Sequence, residues 1–484
     1  MATAITVIHI NNNARQSLVG KHQALGSYLL HLCLRWNAVK YTTKTADVDS
    51  IRGGLRYIHG ISSAHICWMT LFLYLYLLSP YFDLRVAVLH GGMLSIALLL
   101  GAHPAISLKA VQQVPLLVTF IGLCLFCLYN LTVFIFYTEV FATTFLTYMI
   151  QVALYILLGY VLALSLMIKS LDMDQVLTLC FKLVVFIVFV NSMIILIEYN
   201  FPPFRHFIES MLYQPENSNI DYLTREFRLR GMASGGAANL SLFHGTVLIL
   251  LQALYVKKKI GFLYFVTASV TIFTSLLFIG RTGIVVAIIG ITLFHVLNFV
   301  FSKEKLSFRR FLLYITIAGI VMAVPPVFAF LFPENVLSYS ISFLYQGIEG
   351  VQQEGTTAAL ARMVNIPNEW PKLLFGVGVH SGDFSLQRSV DLGYMRMFTA
   401  LGIPVAIAFY FFVAFLGKSV YSVTHYKSFW IVFMIIMFIA EYKEPFIFKG
   451  YSARLMWLII GVGLCYRYSS LQSNCNKTAS DYAQ

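Results

Sequence analysis

The sequence predicts an all-α, polytopic integral membrane protein with about twelve transmembrane helices and two large outer loops. Three observations carry this. Of 484 residues, 59% are hydrophobic and only 11% are charged, with a mean hydropathy of +0.77; a soluble globular chain carries about 25% charge and about 45–50% apolar residues. Apolar runs recur from residue 64 to residue 466 at the length of about 20 residues that a bilayer crossing needs. Charges collect at the ends of these runs with a sign bias that a membrane explains. The same composition excludes disorder, a collagen-like chain and a disulfide scaffold. A net charge of +13 raises nucleic acid as a partner, but the placement of the bases argues for a membrane and no nucleic acid.

Residues 1–63 are polar, basic and without an apolar stretch near Met1, so no signal peptide is expected. They read as a cytoplasmic N-terminal tail, or as an over-long start with translation beginning downstream, for example at Met69. The membrane domain is placed at 64–466, with crossings at 64–81, 84–102, 116–137, 146–168, 176–198, 232–256, 260–279, 283–301, 311–331, 390–416, 428–448 and 451–466. Several contain Gly, Pro or Ser, which membrane helices tolerate. Residues 467–484 form a cytoplasmic C-terminal tail. With both termini inside, 21 bases and 6 acids fall on the inner side, and 13 bases and 15 acids on the outer side. The reverse orientation would put every short basic loop on the wrong face.

The outer loops 199–231 and 332–389 exceed the usual length of structureless connections and are expected to be functional or locally folded. In the second, Val336, Leu337, Ile341, Phe343, Leu344 and Ile348 follow a stripe suited to a helix on the membrane surface. The seven cysteines lie outside long polar loops and imply no disulfide framework. Cys124 and Cys127, one turn apart in an apolar run, read as packing residues, and no metal is expected.

No phosphate-binding Gly-rich loop and no HExxH stretch occurs, so no nucleotide or metal chemistry is implied. What stands out is arginine on the outer side, in three groups. Arg225, Arg228 and Arg230 precede Gly231, with Asn239 opening the next crossing; an extended segment would point Arg228 and Arg230 the same way, and guanidinium groups suit phosphate. The other reading is loop charges touching lipid headgroups or pairing with Asp221 and Glu226. Arg281 sits in the tight turn Gly280-Arg281-Thr282-Gly283 between two apolar runs, where a charge is a functional hypothesis by default and snorkelling the alternative. The third group follows Gly376, Gly378 and His380: Arg388, Asp391, Tyr394 and Arg396. Asp391 and Tyr394 would share a helix face, and Asp391 would equally serve as a helix cap. His380 is a candidate base, though a lone loop histidine usually is not one. Glu441, Lys443, Glu444 and Arg454 are placed at run ends as interfacial or mutually paired charges, with Glu444 and Arg454 a candidate pair.

These groups, in this order among the crossings, resemble the O-antigen and capsule repeat-unit polymerase (Wzy) family, within the polymerase/ligase superfamily of lipid-carrier glycosyltransferases. The matching pieces are Arg228 and Arg230-Gly231 with Asn239, Gly280-Arg281-Thr282-Gly283, and Gly376-Val377-Gly378 followed by Asp391-Leu392-Gly393-Tyr394 and Gly402. Where related ligases carry a His-Asn pair, this chain has Val390-Asp391, which favours polymerase over ligase. The resemblance implies a multi-pass protein of the bacterial inner membrane whose outer loops are periplasmic. It implies a cofactor-free, metal-independent glycosyltransferase joining oligosaccharide units carried on undecaprenyl pyrophosphate, with membrane lipid and a polysaccharide chain-length regulator as partners. On this reading Arg230, Arg281 and Asp391 are catalytic, and Arg225, Arg228, Arg388, Tyr394, Arg396 and His380 bind substrate. The rivals are an O-antigen ligase and a lipid-linked oligosaccharide flippase; a transporter would be expected to carry mid-membrane charges and broken helices.

Overall fold

The computed structural model describes residues 63–83, 88–137, 143–167, 171–213, 228–235, 237–301, 369–380 and 392–483. The chain divides into two units, Met1–His59 and Gly60–Gln484, and the described residues all belong to the second. The crossing expected at 311–331 and the surface helix expected at 336–348 lie outside them.

The elements, in chain order, are α1 (Ser63–Leu78), the strands β1 (Tyr81–Asp83) and β2 (Val88–His90), α2 (Gly91–Ala102), α3 (Pro104–Val111), α4 (Val114–Tyr137), α5 (Thr144–Met167), α6 (Met173–Asn200), α7 (Pro202–Met211), α8 (Ala237–Val256), α9 (Phe262–Ile279), α10 (Arg281–Phe301), α11 (Trp370–Phe375), α12 (Gly393–Val423), α13 (Lys427–Ala440) and α14 (Tyr451–Ala483). Among the described residues seven helices are long and apolar enough to cross a membrane, or eight if the bent pair α2–α3 forms one span. The all-α membrane class is therefore as expected. At 1.5 Å per residue, the 24 residues of α4 reach about 36 Å, more than the hydrocarbon thickness of about 30 Å.

Two expected crossings take another form, and a third spans as expected but is kinked. Within the run 84–102 the described residues form β2, paired antiparallel with β1 just before the run, and α2, which meets α3 at 95°; Pro104 opens α3, where its missing N–H costs nothing. The run 428–448 is a helix only to Ala440. Glu441, Lys443, Glu444 and Pro445 then interrupt it, and residues 441–450 form a linker of turns into α14. The run 390–416 is a helix broken at Gly402 (φ 73°), two residues before Pro404. The connection to α8 also differs: residues 228–235 are a loop, and the helix begins at Ala237.

The core runs between the helices, and the outside is apolar as well. α14 is buried along most of Tyr451–Cys465, including Trp457, and α8 is buried on nearly all sides. Gly159 of α5 and Gly461 of α14 meet the partner helix backbone at Leu458 and Ile156, and Gly245 of α8 meets Gly283 of α10. Such small-residue crossings substitute for the hydrophobic drive that lipid does not supply. Around this centre α4, α9, α10 and α12 expose large apolar side chains, among them Leu125, Phe136, Leu263, Val300 and Phe411. A surface of that kind suits hydrocarbon and not water.

The two ends of the bundle differ. At one end Asp172 closes a capping box with Gln175 on α6, Asp174 holds His425 at 2.9 Å, and Lys182 and Lys259 repel one another. At the other end the C-termini of α1, α9 and α13 gather with the N-termini of α8, α10, α12 and α14. Ser234 donates to the Leu78 carbonyl, Arg228 to the Phe278 carbonyl, and Lys443 to the Thr282 hydroxyl. The loops carrying the arginine groups belong to this second end.

Candidate functional site

The first two arginine groups meet. The backbone N–H groups of Arg228 and Leu229 both donate to the Phe278 carbonyl, at 2.7 and 3.1 Å, in the last turn of α9. Arg228 has a left-handed backbone (φ 66°), uncommon for a residue with a side chain. Its side chain is exposed, whereas Arg230 is only 2% exposed. The two therefore do not share a face as an extended segment would make them.

Arg230 turns inward to α7. Its Nε and Nη2 donate to the two carboxylate oxygens of Glu209, at 3.2 and 2.5 Å, and Nη1 donates to the Ser234 carbonyl at 3.4 Å. Arginine's planar fork matches a carboxylate in this way. Asn191 of α6 accepts from the Met232 N–H at 2.9 Å and donates to the Arg230 carbonyl at 3.4 Å. Glu198, also buried, lies near enough to Glu209, Arg205 and Arg230 to feel their charges. Arg230 is thus built into a buried charge cluster below the loop.

Arg281, half-buried, opens α10 directly after Gly280. The turn is pinned by the buried Ser241 of α8, whose hydroxyl donates to the Gly280 carbonyl and accepts from the Gly283 N–H at 2.6 Å. Gly283 has no room for a Cβ, which would meet the Ser241 backbone. Lys443, from the α13–α14 linker, donates to the Thr282 hydroxyl at 2.8 Å. Glu444 accepts from Asn239 at 3.2 Å. Burial, and the like charges of Arg281 and Arg228, lower the pKa of Lys443, while Glu444 opposes the shift. Three cations from three separate segments therefore share this corner. Arg454 is not paired with Glu444: its Nη1 donates to the carbonyls of Tyr76 and Leu77, at 3.3 and 2.9 Å.

The third group is built around the break in α12. Gly376 (φ 78°) packs on Leu401 and Gly402, and Gly378 (φ 79°) on the Phe134 backbone. Val377 donates to the Thr399 carbonyl at 2.7 Å. Asn130 of α4 donates to the Gly378 and Ala400 carbonyls, both at 3.0 Å, so the glycine segment lies between α4 and the opened turn of α12. It delivers His380, 1% exposed, into a box of Phe145, Tyr148 and Phe448 with ring centroids at 5.9, 5.1 and 5.6 Å. Among the described residues neither ring nitrogen has a hydrogen-bond partner. Burial first, and Arg396 second, push its pKa down to about 3, so the ring is neutral at ordinary pH. The Tyr394 hydroxyl donates to the Phe438 carbonyl at 2.5 Å. Glu441, fully buried, accepts from the Ile447 N–H at 2.8 Å and from Tyr410 at 3.3 Å. Arg396 is close enough to both His380 and Glu441 to act on their charge.

The N-cap of α12 is Leu392, without a side-chain cap, one residue past the expected cap. Arg225, Arg388 and Asp391 lie outside the described residues. Sequence reasoning gave Lys443, Glu444 and Glu209 no part in the site. The signal for the first two was present: three charges and a proline within residues 441–445 break an apolar run. For Glu209 there was no signal, because its partner lies 21 residues away across a loop. Among the described residues no group of three His, Cys, Asp or Glu side chains suits a metal ion. No family model, no curated protein and no solved structure matches the chain.

Proposed function

We propose that the chain is a polymerase that joins oligosaccharide repeat units carried on undecaprenyl pyrophosphate into O-antigen or capsular polysaccharide. It acts at the periplasmic face of the inner membrane, crosses it about twelve times and keeps both termini cytoplasmic. The observation that carries this reading is the meeting of Arg228 and Arg281 at the loop-bearing end of an apolar bundle, held through the Phe278 carbonyl and the pinned Gly280–Gly283 turn. Cations there have an anionic partner to serve, and the apolar flanks give a polyprenyl tail a place to lie.

In the reaction, an acceptor hydroxyl oxygen bonds to the anomeric carbon of the growing glycan as the bond from that carbon to the carrier diphosphate breaks. The electron pair leaves with the diphosphate, and the hydroxyl proton passes to a base. Arg281 and Arg228 stabilise the charge that develops on the leaving group, an electrostatic contribution that fixed donors make well. Arg230 holds Arg228 and Gly231 in position through its buried contacts. Asp391 orients or deprotonates the acceptor hydroxyl; His380, buried and with its pKa pushed down to about 3, packs beneath the site and is not the base. Arg225 and Arg388 supply further contacts, and Tyr394 and Arg396 shape the sugar site. A chain-length regulator and membrane lipid are the partners.

The test is deletion of the gene in its host, followed by electrophoresis of the surface glycan and complementation. A ladder that collapses to core plus a single repeat unit, restored by the wild-type chain but not by Arg281→Ala at equal expression, is expected. Arg281→Lys should restore it poorly, because a lysine lacks the paired donors. Loss of even the single unit points instead to a flippase or ligase, and carrier-linked polymer of full length to a ligase.

A further inference from the structure

We infer that Lys443 is a third phosphate-binding cation of this site, brought by the α13–α14 linker to face Arg228 and Arg281 and released from Thr282 when the anion binds. The inference rests on the reading of Arg281 as part of an anion site.

The geometry is specific. The linker is fixed at one end by Glu441, fully buried and held by Ile447 and Tyr410. At the other end Gly450 (φ 96°) packs on Asn239. Between them Glu444 is held by Asn239 at 3.2 Å, so the ammonium of Lys443 is not free to wander. It is half-buried and, among the described residues, makes one hydrogen bond, to the Thr282 hydroxyl at 2.8 Å. An ammonium has three N–H donors, so two remain for a ligand. Arginine and lysine divide the work in a recognisable way: forked donors for paired oxygens, and a compact point charge for the remaining ones. Thr282 serves as a rest position for the ammonium in the unliganded site.

The test uses the purified full chain in phosphatidylcholine nanodiscs, with inorganic pyrophosphate as the probe and calorimetry as the readout. Lys443→Gln is expected to weaken pyrophosphate binding about tenfold, the scale of one charge-assisted contact, and Lys443→Arg to restore most of it. Thr282→Val should leave binding in place, since Thr282 holds only the unliganded lysine. Lys427→Ala, at the opposite end of the bundle, should change nothing. Circular dichroism separates loss of binding from loss of fold. If Lys443→Gln binds as well as the wild type while Arg281→Ala does not, the role of Lys443 is overturned and the anion site stands. If the wild type and Arg281→Ala are alike in not binding, the site reading itself fails, and the inference with it. Glycerophosphoglycerol, the soluble headgroup of phosphatidylglycerol, should displace pyrophosphate only at about tenfold higher concentration or more, since its single phosphodiester carries one negative charge; equal competition would assign the cations to lipid headgroups and overturn the inference.

Discussion

At the scale of single residues, two arginines that look alike in the sequence do different jobs. Arg230 and Glu209 are 2% and 3% exposed and share a forked contact, so removing one partner takes that contact from a buried charge. Such a loss costs about 3–5 kcal/mol. Arg230→Ala and Glu209→Ala should each lower the unfolding midpoint of the detergent-solubilised protein, and the double variant should lose less than the sum, which thermal unfolding of the three variants measures. Arg281→Ala, at a half-buried turn, should leave that midpoint nearly unchanged and, if the proposed polymerase reading holds, abolish polymer. His380 makes a second prediction at this scale. Its pKa is pushed down to about 3 from an ordinary 6.5, so below pH 6.5 the unfolded chain takes up a proton that the folded chain refuses. Stability from this group is therefore complete above about pH 6.5 and declines as pH falls towards 3. His380→Phe should flatten the fall in melting temperature between pH 7 and pH 4; an unchanged slope would remove His380 as its source.

At the scale of elements, the site depends on helices that stop or break where an apolar pattern continues. The Gly402 backbone (φ 73°) opens α12, and a Cβ there would meet the Leu374 carbonyl and displace the segment that carries Gly376, Gly378 and His380. Gly402→Ala should therefore cost stability by about 1–3 kcal/mol, the range for a strained left-handed residue, and should expose Asn130-bonded backbone to hydrogen exchange at residues 376–380. A variant with unchanged exchange there would separate the helix break from the glycine segment. This is also where the sequence was least legible. Helix class, the long spans α4, α5, α6, α8, α9 and α10, and the turn at Gly280–Gly283 follow from runs of apolar residues and from glycine. The bend at Pro104, the end of α13 at Ala440 and the break in α12 do not, because hydropathy averages over a window wider than one charged turn. The sequence pairs Arg230 with Arg281 and puts Arg228 second, whereas the inward turn of Arg230 onto Glu209 depends on a tertiary partner that spacing does not reveal.

At the scale of the whole molecule, the asymmetry between the two ends supports one orientation. One end carries Lys257, Lys258, Lys259, Lys418, Lys427 and Arg467, the pattern of short basic loops that membranes retain on the cytoplasmic side. The other end carries the arginines and Lys443 that converge on the candidate site, among carboxylates and long connections. A basic residue placed on the outer side against this bias needs a reason of its own, and binding an anion supplies one. Orientation and anion binding are tested together by labelling. Cysteines introduced at Lys258 and at Arg228, in a chain whose native cysteines are replaced, should react from opposite sides of intact cells with a reagent that cannot cross the membrane. Arg228→Cys should be labelled from outside and Lys258→Cys only after the cells are opened. Inorganic pyrophosphate should slow labelling at Arg228→Cys and leave Lys258→Cys untouched, because only the first lies in the corner shared with Arg281 and Lys443. Labelling of Lys258→Cys from outside would invert the topology and put the cation corner in the cytoplasm, where a periplasmic polymerisation has no use for it.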